Sequence, residues 1–579
     1  MKKVLILGQG TRSFLSVIRS LGRKGITVHA ANSFPEDLAL YSKYIKKYFQ
    51  LPPFSEVGRW KFEIISIVEK EHYDLVIPTD DAPIILLQQI TSEIKKHCNV
   101  YLLEDIAYTV TNNKLQTYSF CQSLGIQVPK FSTISKNDDL EKILKDFDFP
   151  LIIKPISSYS PDSLERKNLV KIAKEKDELL AILKNLFGNN STAIIQEYFD
   201  GAGIGVEVLA FQGEILTAFQ HIRIHEKRIW GIRNIGGAST YRRSQSVDPF
   251  LMLQVKKIIQ GLNYTGVAML EFRKDYKKKE SVLIEINGRF WGSLPLAVAA
   301  GADFPFYLFQ LLVENKKTFP QTYNNNLFCR SSTEDLYWIY DEITSYRSNI
   351  KMQVGFIGKT VVEFFNILLL RERNDTLVLD DPKPGIMEIV ALILHPISIL
   401  NRKMRFRMRT LKFFRKIRSN QFKRVILHAE SILFVCKGNI CRSPFAEHYS
   451  RSIFPQKIHT LSCGYIQQNG RESPPEAINT AKKFGVDLSD HQAHQITEQM
   501  IQNSDVVIVF DESNFRILFK RYHKYKSKLW FLSEICPDIQ VTIEDPFSKD
   551  SETFEKVYST IAYCIDTMNQ YLKENSTSK

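Results

Sequence analysis

The sequence is poor in cysteine, with eight in 579 residues, at positions 98, 121, 329, 436, 441, 463, 536 and 564. Scattered this thinly, they do not suit a disulfide framework and point to a reducing cytoplasm. Long apolar runs are also missing. The longest, "GIMEIVALILHPISIL" at 385–400, is interrupted by Glu388, His395 and Pro396 and falls short of the roughly 20 residues a spanning helix needs. No transmembrane segment is expected. The opening "MKKVLILGQG" offers only four apolar residues before a glycine turn, which reads as a strand and not a secretory signal. With 44% hydrophobic and 24% charged residues, neither disorder nor a fibrous class is indicated. No internal repeat is visible.

Acid is absent from one stretch. Between Asn401 and Arg424, "NRKMRFRMRTLKFFRKIRSNQFKR" carries eleven Lys/Arg and no Asp or Glu, so that removing it would lower the net charge from +14 to +3. A solvated linker helix is one reading. The Met, Phe, Leu and Ile side chains interleaved with the charges support another, a basic amphipathic segment lying peripherally on an anionic membrane at its inner face. No nucleic-acid-reading motif accompanies the charge, so nucleic acid is not the expected partner.

What is present is a chain long enough for several cores. Residues 1–110 alternate "KVLILG", "FLSVIRSLGRKG", "TVHAA", "YDLVIPTDD" and "VYLLE", the pattern of α/β with a mainly parallel sheet. The loop "GQGTRS" resembles the start of a dinucleotide fingerprint but lacks its third glycine. Residues 111–320 mix helices with longer strands and read as α+β. Residues 321–430 lose that regularity and read as a helical, basic connector. From Ser431 to the C-terminus a second α/β pattern begins with "SILFVC" and continues through "DVVIVF" and "KLWFL". The expectation is an α/β multidomain protein.

Residues 435–444 read "VCKGNICRSP". A β-branched run feeding a tight loop and then a helical pattern aims backbone N–H groups and the positive end of a helix at one spot, which favours an anion there. Cys436 is placed as a nucleophile and Arg442 as a fork of donors for phosphate oxygens. Gly438 would let the backbone approach closely, Asn439 can adopt a left-handed conformation, and the Ser443 hydroxyl can donate to a thiolate. "IEDPFSKD" supplies Asp545 as an acid for the leaving oxygen. Cys-x5-Arg-Ser with a distant Asp-Pro closely resembles the low-molecular-weight protein tyrosine phosphatases. The resemblance covers 431–575, including "SCG" at 462–464, "SPPEAINTAKKFGVDLSDHQA" and "SDVVIVFDESN". It implies that Cys436 forms a phosphocysteine, that Arg442 binds the phosphoryl group, that Asp545 acts as acid and then base, and that Cys441 protects Cys436 by a reversible disulfide. In place of the pair of tyrosines that eukaryotic members carry after Asp-Pro, this chain has Phe547 and Ser548. Arsenate reductases share the fold, but the segment after the central strand holds none of the cysteines they use to relay electrons.

The N-terminal half offers "TGVAMLEFRKDYKKKESVLIEINGRF" at 265–290. On a strand, Glu285, Asn287 and Arg289 share one face, and an adjacent antiparallel strand would bring Glu271 beside them. Such oxygen ligands suit Mg²⁺ or Mn²⁺, and Arg289 suits a phosphate oxygen. Lys114 in "TNNK", Lys154 in "LIIKP" and "IIQEYF" at 194–199 precede them. That order resembles the ATP-grasp ligases, particularly the carbamoyl-phosphate-synthase-like group, over about 1–320. The resemblance implies a pre-ATP-grasp, Rossmann-like domain at 1–110 and an ATP-grasp domain at 111–320. In it, Lys114 and Lys154 hold the ATP phosphates, Gln196, Glu197 and Phe199 lie along the adenine, and Glu271, Glu285 and Asn287 bind the metal. The loop after Lys154, "ISSYSPDSLERKN", lacks the glycines of the family's phosphate-covering loop. Substrate-side candidates are His221, Arg223, His225 and "GGASTYRRS" at 236–244.

The expectation is therefore a bifunctional cytoplasmic enzyme: an ATP-dependent ligase for a small carboxylate and an amine, joined through the basic connector to a phosphatase for phosphotyrosine proteins, a bacterial tyrosine kinase among them. A competing reading is a scaffold whose ATP-grasp half binds nucleotide without making product.

Overall fold

The computed structural model describes residues 2–159, 164, 167–187, 192–227, 239–346, 349–394, 411–466 and 469–576. The chain forms two compact units, Met1–Ile393 and Leu394–Lys579.

The first unit begins with a five-stranded parallel sheet. Its strands are β1 (Lys3–Leu7), β2 (Thr27–Asn32), β3 (Ile45–Gln50), β4 (Leu75–Pro78) and β5 (Asn99–Val100), in the order β3-β2-β1-β4-β5. The Val/Ile/Leu-rich β1 and β4 are buried on both faces, as parallel strands covered by helices must be. The loop after β1 serves close packing: a Cβ at Gly8 would lie 1.9 Å from the Thr79 hydroxyl. Two further sheets follow. The smaller is antiparallel, β6 (Phe131–Ile134), β7 (Leu151–Pro155), β8 (Lys171–Ala173) and β9 (Ala193–Glu197), in the order β6-β9-β7-β8. The larger runs β14-β13-β10-β11-β12-β15-β16. Here β10 is Ala202–Phe211, β11 Glu214–Glu226, β12 Ser239–Gln245, β13 Gly266–Asp275, β14 Glu280–Asn287, β15 Phe328–Arg330 and β16 Glu372–Asn374.

The stretch expected as one connector, 321–430, is divided between the two units. β15 pairs with β12 and β16 with β15, and two helices, Ser332–Ser345 and Ile350–Leu368, lie between them in sequence. Buried ion pairs tie this part to the first unit: Arg19 to Asp381 at 2.9 Å, and Arg242 to Asp375 at 2.5 Å. Its basic end, Lys412–Leu427, is a helix of the second unit. Phe422 and Ile426 are fully buried in the phosphatase-like core, Phe422 stacks on Trp530 at 5.1 Å, and Arg418 pairs with Glu534 at 2.9 Å. Phe422 is buried like any core residue, and truncating it to Ala should cost about 3–5 kcal/mol. Residues 401–410 of the basic segment lie outside the described residues.

The second unit carries a four-stranded parallel sheet, β17 (Ser431–Cys436), β18 (His459–Gly464), β19 (Val506–Val509) and β20 (Leu529–Phe531), in the order β18-β17-β19-β20. Two apolar clusters cover its two faces. Among the described residues no helix is long and apolar enough to cross a membrane.

Candidate functional sites

β17 delivers Cys436 to the sheet's end, and the helix Arg442–Ile453 starts six residues on. The loop between them folds around the sulfur. The Asn439 N–H donates to Cys436 Sγ at 3.2 Å and the Ser443 hydroxyl donates to it at 3.0 Å. Asn439 takes φ +54°, a left-handed turn that Asn tolerates better than most residues. Its amide then braces the loop, donating to Ser443 at 3.0 Å and Ser462 at 2.8 Å, while its Oδ1 accepts from the His494 N–H at 2.8 Å. A close approach between protein segments occurs at Gly464. A Cβ at Gly438 would meet nothing nearer than 3.5 Å, whereas one at Gly464 would lie 2.9 Å from the Asn439 nitrogen. The tight residue is contributed by the neighbouring strand, in register with Cys436.

Arg442 is buried, and its fork is held from three sides. Nη1 donates to Asp511 at 2.6 Å and to the Ile543 carbonyl at 2.9 Å, and Nη2 pairs with Asp545 at 3.1 Å. Its Nε is buried with no partner. Asp511 has two duties: its other oxygen caps the helix Glu512–Arg521 by accepting from the Asn514 N–H at 2.8 Å. Sequence reasoning quoted "VFDESN" without giving Asp511 a role, although an Asp closing a strand and opening a helix is a cap signal. Burial pushes the Cys441 and Cys463 thiols up, so neither competes as an anionic nucleophile. Asp545 stays partly exposed, next to Pro546 and the half-exposed Phe547.

In the first unit β13 and β14 pair antiparallel with Glu271 directly opposite Glu285 and Asn287 opposite Met269. Asn287 Nδ2 donates to Glu271 Oε1 at 3.3 Å, and Lys114 Nζ stands 3.8 Å from Glu285. Lys114 is placed by its neighbour, since Asn113 caps the helix Lys114–Ser123 by accepting from the N–H groups of Leu115 and Gln116. Lys154 donates to the Tyr118 hydroxyl at 3.0 Å, and that hydroxyl donates to Gln196 Oε1 at 2.7 Å. Burial lowers Lys154 to about 8, against the opposing pull of Glu285 and Glu271. Tyr118 escaped the sequence reading because an aromatic on an amphipathic helix gives no local sign of a polar partner 78 residues away.

The side chains of Gln196, Glu197 and Arg289 all have protein partners. Gln196 is buried in β9, between β6 and β7, and its Oε1 accepts from Tyr118, while Phe199 lines a cavity of about 850 Å³ with Arg223, Glu226 and Arg273. The Glu197 carboxylate accepts from the Lys130 N–H at 2.8 Å. Arg289 pairs with Asp81 through both Nε and Nη2, the latter at 3.0 Å. The Arg289 guanidinium helps hold Asp81 down to about 2 against its burial.

Of the substrate-side candidates, Arg223 pairs with Glu271 at 2.7 Å, and His221 bonds Glu207 at 2.6 Å. His225 bonds Asp335 at 2.9 Å and Glu363 at 3.1 Å and stacks on Trp338, which identifies it as a structural group. Residues 236–238 lie outside the described residues. Arg242, from the 236–244 candidate stretch, and Arg12, which the sequence did not single out, share the single carboxylate of Asp375. Buried and without hydrogen-bond partners among them are Arg242 Nε and Nη1, His221 Nε2 and Arg223 Nε. Burial and the charge of Arg242 lower Arg12 to about 10.

Comparison with known proteins follows this division. The family described as low molecular weight phosphotyrosine protein phosphatase matches residues 431–578, and the one described as ATP-grasp in the biosynthetic pathway with Ter operon matches 189–331. The low molecular weight phosphotyrosine protein phosphatase of Sus scrofa is 32% identical over 146 residues, 23% of this chain and 90% of that protein. The probable low molecular weight protein-tyrosine-phosphatase EpsP of Ralstonia solanacearum is 30% identical over 137 residues, 24% of this chain and 92% of that protein. N5-carboxyaminoimidazole synthetase from Staphylococcus aureus superposes with a TM-score of 0.45 at 16% identity, covering 60% of this chain and 86% of that one, a likeness too distant to speak to chemistry.

Proposed function

Because this chain belongs, through residues 431–578, to the low molecular weight phosphotyrosine protein phosphatases and also carries an ATP-grasp domain, we propose that it is bifunctional. One unit hydrolyses phosphotyrosine through a phosphocysteine, and the other uses ATP to activate a small carboxylate for attack by an amine.

The observation that carries the phosphatase reading is the convergence of two donors on Cys436 Sγ beside a forked guanidinium. Both donors stabilise a thiolate. The thiolate attacks phosphorus, the P–O bond to the phenol breaks, and Asp545 gives its proton to the departing oxygen. Water then attacks phosphorus, Asp545 takes a proton from it, and the S–P bond breaks to release phosphate and the thiolate. Arg442 holds the phosphoryl oxygens throughout, with its unpartnered Nε as one free donor. A phosphate in the loop would take Nη2 from Asp545 and leave that side chain, on an exposed loop, free to reach the leaving group. Arsenate reduction is less well supported, since Cys441 is the only other cysteine in the loop. Proteins bearing phosphotyrosine, tyrosine kinases among them, are the partners that suit the site. Hydrolysis of p-nitrophenyl phosphate, lost in Cys436→Ser, tests the assignment.

For the ATP-grasp unit, the support is the donor chemistry. Glu271, Glu285 and Asn287 present oxygen atoms from adjacent strands, a set that suits Mg²⁺ or Mn²⁺. No group of three or more His, Cys, Asp or Glu side chains among the described residues is placed to hold a metal, so the third ligand would be the Asn287 amide oxygen. Bound there, the metal would neutralise charge on the ATP phosphates. Lys114 and Lys154 would hold phosphate oxygens, Lys154 gaining a counter-charge that favours its ammonium form. The unpartnered nitrogens of Arg242, His221 and Arg223 would receive the carboxylate substrate. Production of ADP from ATP, dependent on added carboxylate and amine, tests this half. Its absence with every amino acid and amine tried, while Mg–ATP still binds, would favour the nucleotide-binding scaffold. The basic segment 401–424 is read as a peripheral contact with anionic membrane at the cytoplasmic face.

A further inference from the structure

The first unit wears an amphipathic helix turned the wrong way round for a soluble protein. Residues Ile350–Leu368 form a helix of 19 residues, about 28 Å long at 1.5 Å per residue. Its inward side is polar or packed: Glu363 reaches His225, Asn366 donates to the Tyr241 hydroxyl at 3.0 Å, Thr360 is buried, and Phe356 meets Trp338 at 5.6 Å. At about 100° per residue the opposite side carries Ile350, Val354, Ile357, Val361, Phe365 and Leu368, all exposed. This face is not isolated. Of the 38 large apolar side chains exposed among the described residues, 22 fall between Leu336 and Leu394. They include the fully exposed Leu379 on the loop after β16, and Ile386, Ile389 and Ile393 on the helix 383–394. Scattered exposed apolar residues are normal, but a concentration of this kind marks an interaction surface.

Charge identifies the partner. The one carboxylate of the helix, Glu363, is turned inward to His225, and beyond it Glu372, Asp375 and Asp381 are held by Arg330, Arg242 and Arg19, while Asp380 pairs with Arg23 at the surface and Asp341 is exposed. Lys351, Arg371 and Lys383 stay exposed at the margins, and the chain runs on into the eleven cations of 401–424. A helix face of aliphatic and aromatic side chains that carries no acid of its own, rimmed and followed by cations, matches an anionic lipid surface. A helix seam alone would account for Ile350, Val354, Ile357 and Val361, but not for the exposed Leu379 or the Leu369–Leu370 pair beyond the helix.

We propose that the outer face of Ile350–Leu368, with the exposed apolar side chains that follow it in the sequence, is a monotopic membrane-docking surface that inserts into the headgroup region of an anionic bilayer. It goes beyond the reading of the basic segment and rests on different side chains, so the two can be separated. The full chain is sedimented with vesicles of equal parts phosphatidylcholine and phosphatidylglycerol, and with phosphatidylcholine alone. Wild type should sediment with the mixed vesicles. The triple variant Val354→Glu, Val361→Glu, Leu368→Glu should bind them roughly a hundredfold less tightly, because three apolar side chains no longer insert. A Gln version of the same triple, checked by thermal melting and by unchanged p-nitrophenyl phosphate hydrolysis, guards against a folding effect and should show the same direction. Three results would overturn the proposal. Wild type could fail to sediment, or binding could survive both triples and vanish only in Arg405→Gln, Arg407→Gln, Arg409→Gln. Light scattering could instead reveal a dimer that the triples dissociate with no vesicle binding, assigning the face to a second copy.

Discussion

The two candidate sites of this chain are built in opposite ways. Around Cys436, the proposed nucleophile, the loop donors and the guanidinium proposed to hold phosphate come from eight consecutive residues, 436–443, and β17 with the helix after it sets their geometry. Neighbours such as Gly464, Asp511 and His494 only brace what the loop has already arranged. The ATP-grasp cluster draws on Arg12, Lys114, Lys154, Arg223, Arg242, Glu271, Glu285 and Asp375, positions spread over most of the first unit. It also leaves several buried nitrogens unpartnered. A preassembled loop binds one group, phosphate, whatever carries it. A distributed site with open donors has its specificity in the spaces between elements, and it is open to shifts of those elements.

That contrast can be broken, and the sharpest attempt is at the nucleophile. Cys436→Ser should take aryl phosphate hydrolysis to background while Mg–ATP binding by calorimetry is unchanged. Loss of both would mean that the two sites are not independent. Next in size, Glu285→Gln with Asn287→Ala should abolish Mg-dependent ATP binding, since two of three oxygen ligands change together, and leave phosphatase turnover intact. Unaltered Mg–ATP titration would put the metal on other residues. Asp545→Asn should slow hydrolysis by about 10²–10⁴ for a phenol that needs protonation and far less for an activated phenol. The same small loss on both would remove Asp545 from the acid role.

A pH series gives a smaller but more particular effect. Lys154 lies near 8 because burial disfavours its charge. Its ammonium form is therefore complete below that value and is lost as pH rises through it. ATP affinity should be greatest near pH 7 and fall by up to about tenfold per unit above 8, and Lys154→Arg, which keeps its charge, should flatten the profile. A wild-type profile already flat from pH 7 to 9 would show that Lys154 does not meet phosphate. Smallest is Asp511→Asn. The helix cap survives while Arg442 loses one charged partner, so the KM for aryl phosphate should change only about three- to tenfold, an effect of about 1 kcal/mol. A loss as large as that of Asp545→Asn would make Asp511 part of the chemistry.

The legibility of each site follows from the same difference in construction. Cys436, Asn439, Arg442 and Ser443 could be read because their spacing within a strand-loop-helix turn already fixes which atoms meet. Glu271 could be paired with Glu285 because two adjacent strands with period 2 allow few registers. Tyr118, Asp81 and Arg12 could not, because each finds its partner, Gln196, Arg289 and Asp375 respectively, across 78 residues or more. The tight packing at Gly464 was not legible, since local sequence cannot reveal that a neighbouring strand crowds the loop.

The sequence by itself determined that the chain holds two α/β patterns, that a cysteine-centred phosphate loop opens the second, and that paired carboxylates and lysines mark the first. Those are matters of local order, set by periodicity, propensity and the reach of a few peptide bonds. Only the tertiary structure decided where 321–430 belongs, because β15 and β16 are three residues each and carry no pattern of their own; their place comes from pairing with β12 and from the burial of Asp375 and Asp381 against arginines far up the chain. It also decided the orientation of Ile350–Leu368. A 3.6-residue apolar period is the same whether that stripe faces a core or solvent, and it is the contacts of Glu363 and Asn366 on the other side that turn Val354, Val361 and Leu368 outward.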